Sequence, residues 1–210
     1  MGTTTSFDIR SLTAFACGLT LAAGTAAAQQ SPNIVFGVVD DDEDGTADSF
    51  LSETLQDSIS DRFDDQATFA EYSIAGAEGP VVESAVIAGQ LEEEFSFGFG
   101  TSPATVSIEI YAGNGAADLS DFSIAATEIG TVTLVDGDPD FNDFSFDATD
   151  AVQTVLDAGA DFVGLRVSYI TEGAGQARLN NPTLTASFVP APGSLALLGL
   201  GGFAAARRRR

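Results

Sequence analysis

Asp40-Asp41-Asp42-Glu43-Asp44-Gly45-Thr46-Ala47-Asp48 is the stretch whose residue types and spacing best suit chemistry. Calcium takes six to eight oxygen ligands, and alternate acids on a tight loop can aim several of them inward together. Asp40, Asp42, Asp44 and Asp48 have that spacing, Gly45 supplies a turn, and Thr46 can offer its carbonyl. The loop is therefore a candidate calcium site, with a solvated acidic turn as the alternative. Asp136, Asp138, Asp140 and Asp143 also alternate, around a turn marked by Gly137 and Pro139. The same two readings apply there.

Other chemistry is thinly represented. Histidine and tryptophan are absent, and Cys17 is the single cysteine. His-based triads, imidazole bases and zinc sites of the usual type are thereby excluded. A carboxylate pair can cleave glycosides, but with 31 acids in the chain such pairs arise by chance. Tyr72, Tyr111 and Tyr169 are candidates for stacking on sugars, each equally readable as part of a core. No glycine-rich phosphate loop follows a strand, and Gly98–Gly100 reads as a strand end. Arg166 has so acidic a chain around it that a carboxylate partner is expected. The expectation is a protein that is not an enzyme.

The elements that must position these residues repeat mainly with period two. Asn33–Val39 is a short apolar run, and Ala67–Ile74 alternates, with Phe69 and Glu71 on one face. Val106, Ile108 and Ile110 share one face of a strand, with Ser107, Glu109 and Tyr111 opposite. Val81–Leu91, Ile129–Val135, Phe141–Phe146, Phe162–Ile170 and Thr183–Phe188 read as further strands, and Phe95, Phe97 and Phe99 share a strand face. Many short strands separated by Gly, Asn and Asp clusters predict an all-β sandwich. One helix is expected, with Asp147 as N-cap, Val152 and Leu156 on its buried face and Gly159 just past its end. Its place is over one open end of the sandwich. Ser49–Ile59 is a weaker candidate for a second helix.

Both flanks carry export signals. Arg10, the apolar run Leu12–Thr25 and the small residues Ala26-Ala27-Ala28 have the layout of a signal peptide. Cleavage is expected between Ala28 and Gln29, removing Cys17 and with it any Cys nucleophile. At the other flank Val189-Pro190-Ala191-Pro192 precedes the apolar run Gly193–Ala206 and then Arg207, Arg208, Arg209 and Arg210. As a helix the 14 apolar residues rise about 21 Å, short of the roughly 30 Å hydrocarbon core. The arginines would hold that segment on the cytoplasmic side.

This tail resembles the PEP-CTERM sorting signal: Val-Pro-Glu-Pro, an apolar segment and an arginine cluster. Pro190, Pro192 and the four arginines match, and Ala191 stands where the pattern has Glu. The resemblance implies a sorting and processing membrane protease of the exosortase kind as partner. It also implies a protein exported to the cell envelope or extracellular surface, anchored at least transiently in the inner membrane. Phe69–Tyr72, Val82–Val86, Phe146–Val152 and Phe162–Arg166 resemble, more weakly, jelly-roll domains of the DNRLRE type. That likeness implies a fold and no activity. The spacing of Asp40–Asp48 is similar to a calcium loop of the EF-hand or dockerin kind, with Gly45 sixth and Thr46 seventh. The departures are Leu51 at the twelfth position, where a bidentate Glu belongs, and the missing flanking helices.

The chain thus divides into a signal peptide at 1–28, an acidic sandwich domain at 29–188 and a sorting segment at 189–210. Thirty of the 31 acids lie in the middle part, with only Arg62, Arg166 and Arg178 of the 8 basic residues. Nucleic acid is excluded as a partner, because phosphate binding needs a basic face. The function expected is a structural or adhesive role in a surface or exopolysaccharide layer. The alternative is a carbohydrate-binding module for an extracellular polysaccharide.

Overall fold

The computed structural model describes residues 27–51, 58–61, 65–75, 81–95, 104–134, 141–170 and 176–189. Eleven strands, a short 3-10 helix and one α-helix follow one another in these segments. The strands are β1 (Ala28–Gln30), β2 (Ile34–Asp40), β3 (Ser49–Phe50), β4 (Ser58–Asp61), β5 (Asp65–Ser73) and β6 (Val81–Phe95), then β7 (Ala104–Gly113), β8 (Ala126–Leu134), β9 (Phe141–Asp147), β10 (Phe162–Tyr169) and β11 (Gln176–Val189). The 3-10 helix is Leu119–Phe122, and α1 is Thr149–Asp157.

Hydrogen bonding arranges them in two antiparallel leaves. One leaf runs β3-β2-β5-β10-β7-β8 and the other β9-β6-β11-β1. β4 joins them at a corner, pairing with β11 on one side and β5 on the other. From β5 onward the chain crosses repeatedly between leaves, giving a jelly-roll-like sandwich; the sandwich is what the period-two runs predict.

Alternation along each strand decides which side chains meet between the leaves. Val163, Leu165 and Val167 of β10 are fully buried, as are Val106 and Ile108 of β7 and Ala70 and Tyr72 of β5. Ala85, Ile87 and Leu91 of β6, Leu184 of β11 and Phe144 of β9 face them in one continuous core. Each buried Val, Leu, Ile or Phe contributes roughly 1.5–3 kcal/mol to holding the leaves together.

α1 closes one end of the sandwich through Ala151, Val152 and Val155. Its start differs by one residue from expectation. Ala148 is the N-cap, because its carbonyl accepts the first helical bond from Val152 N–H at 2.8 Å. Asp147 still serves the helix end from one position earlier, its Oδ1 accepting from Thr149 N and Oγ1 at 2.9 and 2.6 Å. Thr149 Oγ1 in turn accepts from Ala85 N–H at 3.0 Å, which ties the helix to β6. Gly159 follows the helix at φ +77, the left-handed conformation expected there.

The weak helix expected over Ser49–Ile59 is corrected. Ser49 and Phe50 pair with Val39 and Val38 as β3, and Ser58 and Ile59 belong to β4. Poor helical periodicity there yields to ladder partners from β2, β5 and β11. Phe95 is likewise the last residue of the long β6 and not the first of a new strand. Residues 52–57, Phe97 and Phe99, residues 135–140, the bulk of the expected signal peptide (1–26) and the expected C-terminal apolar helix (within 190–210) lie outside the described residues. Among the described residues no helix is long and apolar enough to cross a membrane.

Candidate functional site

The outer face of the β2-β5-β10-β7 leaf carries a second, smaller cluster. Phe36, Val38, Ala67, Phe69 and Tyr111 project there, covered by Leu119, Phe122 and Ile124 from the β7–β8 connection. The same alternation that sends Tyr72 inward puts Phe69 and Glu71 on this side, as their spacing predicts. Phe69 stacks on Phe36 with ring centroids 5.1 Å apart and meets Tyr111 edge-on at 5.9 Å.

Two charged residues strap residues 114–125 over this face. Glu71, fully buried, accepts from Tyr111 OH at 3.1 Å, Asn114 N–H at 3.3 Å and Gly115 N–H at 2.5 Å. Arg166 donates through Nε to Glu109 at 2.6 Å, which is the carboxylate partner expected for it. Its Nη1 donates to the carbonyls of Phe122 at 2.6 Å and Ile124 at 3.1 Å. One guanidinium therefore binds a strand and a loop together, which the planar fork of donors permits.

A cleft of about 240 Å³ lies beside this strap, lined by Asp65, Gln66, Glu109, Phe122, Arg166 and Tyr169 among others. Of the three tyrosines weighed for sugar stacking, only Tyr169 is among the residues lining this cleft, and it packs against the main core. Tyr72 is buried in the main core and Tyr111 is buried with its hydroxyl on Glu71. Burial raises the pKa of both phenols.

Asp121 went unnoticed in the sequence. It is 2% exposed, and its Oδ2 has no hydrogen-bond partner among the described residues. Burial, then the charges of Glu71 and Asp118, push its carboxyl up to about 6, against a backbone N–H bond from Asp118 that pulls the other way. A pKa raised on folding means that the folded state holds a proton the unfolded chain has already lost. This group's contribution is therefore present below about pH 4 and is lost as pH rises through 6. Denaturant titrations at pH 4 and pH 7 are expected to show a smaller stability loss in Asp121→Asn than in the parent. An equal loss in both would contradict the assignment.

The Asp40–Asp48 loop joins β2 to β3, so strands and not helices flank it. Asp48 N–H donates to the Val39 carbonyl at 2.8 Å, closing the loop as a hairpin. Asp40 is fully buried and accepts Gly45 N–H at 2.7 Å and Asp44 N–H at 3.2 Å. Carboxylate oxygens of Asp40, Asp42 and Asp48 lie within 4.8 Å of one another. Asp44 does not join that group, and its Oδ1 instead accepts Thr46 N–H at 2.9 Å. The pKa of Asp42 is raised, chiefly by the charge of Asp44, then by desolvation and by Asp48. The charge of Asp40 acts on Asp42 in the same direction, the kind of repulsion a bound cation relieves. In the second acidic cluster, Asp143 of β9 accepts from Gln90 Nε2 at 2.7 Å.

Comparison with known proteins bears on the end of the chain. Residues 188–210 match the PEP-CTERM protein-sorting motif. The chain carries that sorting motif. It marks export and membrane-associated sorting to the cell envelope, and PEP-CTERM signals are recognised by exosortase, a membrane protease.

The PEP-CTERM motif begins inside the fold, because Phe188 and Val189 still pair with Val82 and Val81 of β6. Pro190, Pro192 and Arg207–Arg210 of the motif lie beyond the described residues. No curated protein matches the chain. Among solved structures, the xylan-binding module CBM15 is similar at TM-score 0.49 and 14% identity, covering 80% of this chain and 100% of that one. Xylanase10C (mutant E385A) from Cellvibrio japonicus in complex with xylopentaose is similar at TM-score 0.47 and 13% identity. That match covers 77% of this chain and 28% of the other.

Proposed function

We propose that this is a non-enzymatic structural or adhesive protein of a surface or exopolysaccharide layer, made as a signal peptide (1–28), a sandwich domain (29–188) and a sorting segment (189–210). The observation that carries the reading is the PEP-CTERM motif running directly out of the core strand β11. A protein so marked delivers its folded domain to the envelope, and that domain is the part left to act there. The purified 29–188 domain is expected to turn over no extracellular polysaccharide. Turnover abolished by a single acid substitution would overturn the proposal.

A second reading is carbohydrate binding, and the cleft favours it. Asp65, Gln66, Glu109 and Arg166 offer hydrogen-bonding groups beside Phe122. Sugars are held by that mixture of planar polar groups and aromatic faces. On a glycan array, binding that is lost in Asp65→Ala in a domain of unchanged melting temperature would establish this reading, and binding indifferent to the cleft residues would remove it.

We further propose calcium as the ion of the Asp40 loop, held by Asp40, Asp42 and Asp48, with the Thr46 carbonyl as a further oxygen. Calcium at ten times its dissociation constant is expected to stabilise the domain by about 1.4 kcal/mol, growing with concentration. Asp42→Asn with Asp48→Asn is expected to abolish the shift. A parent domain whose melting is unmoved at millimolar calcium would leave the loop as a solvated acidic turn.

A further inference from the structure

We propose that the α1-capped end of the sandwich is its membrane-facing end, and that the end bearing the Asp40 loop and the Arg166 cleft is held outward. The proposal rests on the reading of Gly193–Ala206 as a membrane-held segment, and the register of the strands supplies the rest.

β1 runs antiparallel to β11, with Ala28 opposite Ala186. β11 ends three residues later at Val189, opposite Val81 of β6. The chain before Ala28 and the chain after Val189 therefore leave the fold at the same end, from neighbouring strands. α1 sits at this end too, since Gln153 Oε1 accepts Val82 N–H at 2.8 Å and Thr149 Oγ1 accepts from Ala85. After the expected cleavage behind Ala28, Gly193–Ala206 is the apolar run left to hold this end at the membrane.

The opposite end is defined as clearly. Asp40 pairs with Asp65, Ser168 with Ala67, and Gln176 with Phe95. There stand the Asp40–Asp48 loop and, from Asp65, Gln66, Ser168 and Tyr169, much of the cleft lining.

Lengths decide that the body cannot turn over. The 14 residues of β11 span at most about 43 Å, as 13 steps of roughly 3.3 Å. Only Pro190, Ala191 and Pro192 separate Val189 from the apolar run, a reach of at most about 14 Å. A tether one third as long as the body holds the near end at the membrane and the far end tens of ångströms away. That distance is several Debye lengths, so the exposed acids at 41–44 and 48 are kept clear of anionic headgroups. The candidate calcium loop and the polar cleft are the parts first met by cations or polymers of the surface layer.

The test places one fluorescent probe on the exported chain from Gln29 to Arg210, which has lost Cys17 with the signal peptide, at Thr154→Cys on α1 or at Asp41→Cys in the loop. The chain is reconstituted into vesicles whose lipid headgroups carry nitroxide quenchers. Quenching is expected to be several-fold stronger at 154 than at 41. Inserting about 20 Gly and Ser residues after Val189, with a mean reach near 25 Å, is expected to bring the two signals together. Equal quenching without the insertion, or stronger quenching at 41, overturns the proposal while leaving the membrane-held reading intact. A chain that fails to float with the vesicles removes that reading and the proposal together.

Discussion

Arg166→Met is expected to lower the unfolding free energy by roughly 3 kcal/mol. This is the low end of the range for breaking a buried ion pair, because the two side chains keep 15% and 21% exposure. The substitution leaves Glu109 without its cation and frees the carbonyls of Phe122 and Ile124. It also removes the positive charge that acts on buried Tyr111. Urea titration of the domain reads the loss. Limited proteolysis gives a second signature, with new cleavage in 114–125 once the strap is released. Arg166→Lys keeps the charge but not the fork and is expected to fall between the parent and Arg166→Met. If Arg166→Met leaves both stability and proteolysis unchanged, the strap is held by Glu71 and by packing alone.

Gly164→Val is expected to cost 3 kcal/mol or more, at or beyond the upper end for overpacking. Gly164 and Tyr111 are direct partners across the β10–β7 ladder, and the tyrosine ring lies over the glycine. A Cβ at 164 would clash with the Cζ, Cε1 and Cε2 atoms of that ring. Tyr111 would have to move, and its hydroxyl bond to buried Glu71 would go with it. Gly164→Ala is expected to cost less but still to destabilise, although a glycine in a strand interior is ordinarily improved by a side chain. A double-mutant cycle isolates the cause: in a Tyr111→Ala background the cost of Gly164→Ala should largely vanish. An undiminished cost there would place the clash elsewhere.

Residues 162–169 illustrate what was readable before folding. Val163, Leu165 and Val167 alternate with Arg166, so the inward face and the need for a carboxylate partner follow from the order of residues alone. The same holds for Val106, Ile108 and Ile110 of β7, for the C-terminal glycine of α1, and for the PEP-CTERM motif. β3 and β4 were not readable, because two and four residues carry too little period to separate strand from helix without their ladder partners. Asp121 gave no local signal either, since its burial depends on a connection folding back over a sheet.

The sequence by itself determined the strand faces, the acidic character and the sorting address, because each is a property of neighbours along the chain. Tertiary structure alone decided that Glu71 meets Tyr111 across 40 residues and that Arg166 chooses Glu109 across 57. It alone withdrew Tyr72 and Tyr111 from the surface, drew Asp40, Asp42 and Asp48 together without Asp44, and brought the two flanks of the domain to one end. Those outcomes depend on register between distant strands, and register is set when the whole core closes.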